Sequence, residues 1–99
     1  MNNKNKSQEY DLLFEALLSL KTKEECKAFL DDICTIKELD SMAQRMQVAK
    51  MLRNSGTYLD IAAETGASTA TISRVNRALN YGSEGYTTVL KRIEGEKDA

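Results

Sequence analysis

The chain has 99 residues, 41% of them hydrophobic, with 14 Lys and Arg against 15 Asp and Glu for a formal net charge of −1. That length suits one small domain with a modest core, and that balance excludes a globally basic nucleic-acid coat, so any anion-binding surface must be gathered locally. With no histidine and only two cysteines, the sequence offers no metal-ligand cluster and no nucleophile beside a base, so neither a cofactor nor catalysis is expected.

Residues 1–7 are polar, have nothing to bury and are expected to form a disordered tail. A helix from Gln8 to Leu20 follows. Tyr10, Leu13, Phe14, Leu17, Leu18 and Leu20 cover more than one of its faces, and Leu12 and Ala16 widen the stripe. A helix apolar on so many sides needs more than one neighbour, so it is either the centre of one chain's core or is covered by a second subunit. The expectation is a homodimer.

Thr22, with Glu25 three residues on, opens a second helix as a capping box, and Cys26, Phe29, Leu30 and Ile33 follow at helical spacing. Cys26 and Cys34 lie eight residues apart, about 12 Å along a helix, too far for a disulfide within it. They read as thiols in a reducing compartment. No apolar run approaches the ~20 residues of a membrane span and no signal peptide is visible, which points to the cytoplasm and no membrane partner.

Thr35 and Glu38 repeat the capping box at the start of a third helix. It carries Leu39, Met42, Ala43, Met46, Ala49, Met51 and Leu52, and runs to about Arg53. Asn54-Ser55-Gly56 is a stop signal. Thr57, with Asp60 three residues on, then opens the stretch around which the chain is organised, Tyr58 to Arg77. Ile61 and Ala62 lie on the inner face of a short helix, Gly66 sits in a turn, and Ser68 caps a second helix from Thr69 to about Leu79, whose inner face carries Ile72 and Val75. Thr69, Ala70 and Ser73 face outward as small side chains able to approach a base edge, with Thr71 and Arg74 beside them. This is the spacing of a DNA-reading helix-turn-helix. Asn80-Tyr81-Gly82 ends the helix, Ser83 is placed to cap a last one carrying Tyr86, Val89, Leu90 and Ile93, and residues 96–99 form a charged tail. No segment alternates as a strand does, and there is no proline to break a helix. The domain spans residues 8–95. Charge gathers where a DNA reader needs it: between residues 41 and 80 Arg45, Lys50, Arg53, Arg74 and Arg77 face only Asp60 and Glu64, a local +3.

The helix order, Arg45 in the third helix, and Gly66-Ala67 followed by Ala70-Thr71-Ile72-Ser73-Arg74 resemble the Trp repressor family, and within it the YerC/YecD type of Trp-repressor-like protein. The resemblance implies an all-α fold of about six helices with a helix-turn-helix, in an intertwined dimer whose two reading heads meet successive major grooves of double-stranded DNA. By position it makes Thr69, Ala70 and Ser73 face bases and places Thr71 on the phosphate side. On a DNA-binding reading Arg53, Arg74 and Arg77 are expected to supply phosphate contacts. Arg45 and Arg74 match the two arginines that flank the bound indole in Trp repressor, and with Thr35 and Val75 they outline a possible effector pocket.

Three departures bear on function. In the tryptophan-binding members a glycine follows the second arginine, where this chain has Val75. A serine that contacts the ligand's amino group is Ala78 here, and two basic residues that contact DNA on the first helix of the motif are Leu59 and Ala62. The reading is therefore a sequence-specific DNA-binding regulator, of repressor type, that does not depend on tryptophan. The alternative is a helical module whose helix-turn-helix packs against a protein.

Overall fold

The computed structural model describes residues 5–95. Of the two expected tails, residues 1–4 and 96–99 lie outside the described residues, while Lys6 and Ser7 already belong to the first helix. Six helices follow in order: α1 (Lys6–Ser19), α2 (Lys23–Ile33), α3 (Ile36–Arg53), α4 (Tyr58–Thr65), α5 (Thr69–Tyr81) and α6 (Gly85–Glu94), with no strand among the described residues. The expected all-α architecture is the one observed. The chain divides into two compact units, Met1–Leu39 and Asp40–Ala99.

The N-terminal unit is built from local signals. The Thr22 hydroxyl accepts the Glu25 N–H at 3.1 Å, and the Glu25 carboxylate accepts from the Lys21 N–H at 2.8 Å, one residue before the cap. At the start of α3 the box is reciprocal: Glu38 N–H donates to the Thr35 hydroxyl at 3.1 Å and Thr35 N–H to the Glu38 carboxylate at 2.8 Å. The Thr35 backbone N–H, and then its hydroxyl, hold the Glu38 carboxyl below its ordinary value. Neither α1 nor α2 contains a buried residue. Tyr10, Leu12, Phe14, Leu17 and Leu18 are all exposed, Leu18 by 85%. Tyr10 and Phe14 stack on each other, their ring centroids 6.2 Å apart. A threonine cap starts α2, whereas α1 has no side-chain cap; Leu13, Phe29 and Leu30 are half-buried.

The C-terminal unit contains the core. Val48 and Ala49 of α3, Ile61 of α4, Ala67 of the turn, Ile72 and Val75 of α5, and Leu90 of α6 are buried. Met46, Met51, Leu52, Ala62, Leu79 and Tyr86 pack against them. Val48 is absent from the apolar stripe read from the sequence, although it is fully buried. Apolar residues occur all round α3, so spacing alone does not pick out its inner face. The chain leaves α3 through Ser55, which takes the left-handed conformation at φ 66°. The adjacent Gly56 is needed for closeness instead: a Cβ there would sit 3.0 Å from the Met51 carbonyl and 3.3 Å from Ile61 Cγ1. Ser83 does not cap α6. The cap position is Glu84, left-handed at φ 65° and without a side-chain bond to the helix.

Candidate nucleic-acid interface

Helices α4 and α5 and the turn between them form the motif the sequence predicts. The Thr57 hydroxyl accepts the Asp60 N–H at 3.1 Å and starts α4. Gly66 ends it at φ 74°, a conformation a side chain would strain. The Ser68 hydroxyl accepts the Thr71 N–H at 3.1 Å and starts α5. The turn is pinned by a residue that spacing does not reveal. Thr65 Oγ1 donates to the Ile61 carbonyl at 2.7 Å and accepts the Ala67 N–H at 3.1 Å, while the Thr65 carbonyl accepts from Gln44 Nε2 of α3 at 3.2 Å. A threonine just before a C-cap glycine is a local sign of such a bond; Gln44, 21 residues away, carries no local sign at all.

With Ile72 and Val75 buried, α5 turns its opposite face outward. Thr69, Ala70, Ser73, Arg74 and Arg77 are all exposed. Thr71 is half-buried, and its hydroxyl is taken up by Ser68 Oγ at 3.1 Å. Ser73, Arg74 and Arg77 line a partly enclosed depression of about 190 Å³. The outer face of α4 differs in character. Leu59 is 82% exposed, and Asp60, Ala63 and Glu64 line an open depression of about 490 Å³. Arg53 is turned toward Glu94, 3.4 Å away, which ties the end of α3 to the end of α6.

The four expected effector-pocket residues have separate fates. Thr35 belongs to the N-terminal unit and is engaged in its capping box. Arg45 is exposed on α3 and Arg74 on α5. Val75 is 2% exposed, inside the core. An open depression of about 420 Å³ does lie beside Ala78, but its other lining residues among those described, Met46, Ser83, Gly85, Tyr86 and Val89, include no charged group.

A helix capped by serine, fixed by two buried aliphatics and preceded by a left-handed glycine is the second helix of a helix-turn-helix. The family model described as Trp repressor protein matches residues 8–94 of this chain. The chain belongs to the Trp repressor family. Over 89 residues it is 56% identical to YerC, an uncharacterized protein of Bacillus subtilis (strain 168), covering 90% of this chain and 86% of that one. A solved TrpR-like protein of Eubacterium eligens superposes with a TM-score of 0.87 at 57% identity, covering 98% of this chain and all of the other. A solved chain from Staphylococcus aureus gives the same TM-score at 48% identity, with 96% and 95% covered. Within the Trp repressor family this chain keeps the six-helix fold.

Proposed function

We propose that this protein is a sequence-specific DNA-binding regulator of transcription, of the repressor type its family name denotes. It acts in the cytoplasm as a homodimer, without catalysis. The observation that carries this reading is the outer face of α5, where small residues in the first turn are followed by two exposed arginines on a helix held by buried residues behind it. Thr69 and Ala70 are short enough to approach base edges, and Ala70, with only a methyl to offer, suits the 5-methyl of thymine. Arg74 and Arg77 meet phosphates. The apolar surplus of α1 supports pairing of two chains, which sets two heads one helical turn of DNA apart, about 34 Å.

DNA binding in this reading does not wait for tryptophan. Val75 occupies core space beside Arg74, and among the described residues the depression at Ala78 has no charged group to meet the ammonium or carboxylate of an amino acid. The head is held by its own side chain.

One observation favours a second reading, a helical module that binds protein. Exposed Leu59 with Asp60 and Glu64 is poor chemistry for the side of a motif that crosses a phosphate backbone. Selection of bound fragments from the source genome, followed by affinity measurements at several salt concentrations, decides between them. A DNA reader enriches one sequence, and log Kd rises linearly with log salt, with a slope of about 0.9 per phosphate contact. No enrichment and no salt-dependent retention would leave the protein-binding module.

A further inference from the structure

We infer that Ser73, Arg74 and Arg77 form a single seat for one backbone phosphate of DNA, which takes Ser73 away from base reading and leaves that task to Thr69 and Ala70. This rests on the DNA-binding reading above and deepens it.

Three observations carry it. Ser73 and Arg77 are four residues apart on α5 and Arg74 and Arg77 three, so Arg77 neighbours both on the helix surface. They line one depression of about 190 Å³. Second, all three are left polar and unanswered: neither guanidinium has a hydrogen bond or ion pair among the described residues, and the Ser73 hydroxyl has no partner there. Two cations gathered around one depression repel each other, and an anion between them turns that repulsion into attraction. A phosphate oxygen pair suits guanidinium forks, and a serine hydroxyl donates to a third oxygen.

The third observation is placement along the helix. Arg77 lies eight residues beyond Thr69, about 12 Å at 1.5 Å per residue. The major groove is about 12 Å wide. A helix that enters with Thr69 and Ala70 at the bases therefore carries Arg77 out to the rim, where the phosphates lie, with Arg74 and Ser73 on the same side. Two cations on one phosphate make one firm anchor per head, and that anchor fixes how far the first turn reaches into the groove.

The test uses the whole protein and the duplex obtained by selection, read by fluorescence anisotropy. Arg74→Ala and Arg77→Ala should each weaken binding by about 10-fold or more, the usual size for charge-assisted bonds. Duplexes are then made with a neutral methylphosphonate at one backbone position at a time. At one position per half-site the neutral linkage should weaken wild-type binding, and on that duplex both arginine substitutions should shrink to within about twofold. Ser73→Ala should lower affinity for all sequences alike, and Ser73→Thr, which keeps the hydroxyl, should restore it. If the two arginines respond to different phosphates, or Ser73→Ala re-ranks the preferred bases, the shared seat is wrong while DNA binding stands. If wild type binds no duplex, both readings fall together. Titration with inorganic phosphate alone gives a last check: micromolar binding at one site per chain would make the seat a site for a free anion and overturn its assignment to DNA.

Discussion

Replacing Val75 with glycine tests whether a core side chain has taken the place of a corepressor. Val75 is 2% exposed and packs among Val48, Ala49, Ile61 and Ile72. The change removes three buried carbons, worth about 2.4 kcal/mol at ~0.8 kcal/mol each. A glycine inside a helix adds about 1 kcal/mol. The expected loss is about 3–4 kcal/mol from a total that in domains of this kind is roughly 5–15. At ~4–8 °C per kcal/mol, the melting temperature should fall by roughly 12–30 °C. Val75→Ala, which removes two carbons and costs about 1.6 kcal/mol, is the milder variant should the glycine form fail to fold. Melting curves with and without tryptophan then read the vacated space. Wild type should not shift. Val75→Gly should regain stability as tryptophan is added, by about 2.7 kcal/mol at a hundredfold excess over Kd, if a ring can enter where the valine stood. A rise in wild-type melting temperature with tryptophan, or micromolar calorimetric binding at one site per subunit, would refute the reasoning.

Other expectations follow from single bonds. Ser68→Ala removes the cap of the reading helix and should cost about 1 kcal/mol, seen as a drop of roughly 4–8 °C in melting temperature; Ser68→Asp should keep most of it, since a carboxylate also caps and suits the helix dipole. Glu38 is held below its ordinary value of 4.5, so its capping contribution is present above that pH and is lost as pH falls through the lower folded value. Melting of wild type and Glu38→Gln compared from pH 7 to pH 3 should therefore differ at neutral pH and converge in acid; a gap that persists at pH 3 would contradict this. Asp60→Asn with Glu64→Gln should tighten DNA binding by up to about fivefold in low salt, because two exposed carboxylates beside a phosphate backbone repel it, and by less at 0.15 M. Unchanged affinity at low salt would place α4 away from the backbone.

Local chemistry was legible in the sequence, and distant packing was not. Thr22, Thr35, Thr57 and Ser68 each announce a helix start by a hydroxyl three residues before the N–H it accepts, and each makes that bond. Ile61, Ile72 and Val75 were readable as an inner face because the motif has fixed spacing. Val48 was not, since apolar residues surround α3 and periodicity gives no direction there. Ser83 looked like a cap, but the chain enters α6 through a left-handed Glu84, a backbone choice that leaves no mark in residue type. The Gln44 bond to Thr65 spans two elements and has no local signature. At the candidate interface the outward set of α5 was visible by spacing alone. The grouping of Ser73 with the two arginines, and the turning of Arg53 toward Glu94, depend on where side chains settle.

The uneven distribution of burial bears on how DNA affinity is reached. Every buried residue described lies in Asp40–Ala99, and α1 and α2 have none. The helix-turn-helix therefore has its own core, whereas α1 leaves Leu12, Phe14 and Leu18 exposed, and under the proposed function a second chain covers them. In one chain Leu18 is a surface residue, and Leu18→Asp at a surface position changes stability by no more than about 0.5 kcal/mol. In a dimer seam the same change places a charge in a dry contact and breaks the pair. Sedimentation at micromolar concentration distinguishes the two, since wild type should run as twice 11.1 kDa and the variant as a single chain with its C-terminal helices intact. Under the proposed function a head alone would carry few phosphate contacts and bind weakly. Two heads on one body make the second engagement intramolecular, which raises apparent affinity by about 10²–10⁴. Loss of pairing through Leu18 should thus cost more DNA affinity than loss of Arg74 or Arg77, although Leu18 touches no DNA. A Leu18→Asp protein that still sediments as a dimer, or that binds DNA as wild type does, would break this link between the exposed face of α1 and the grip of α5.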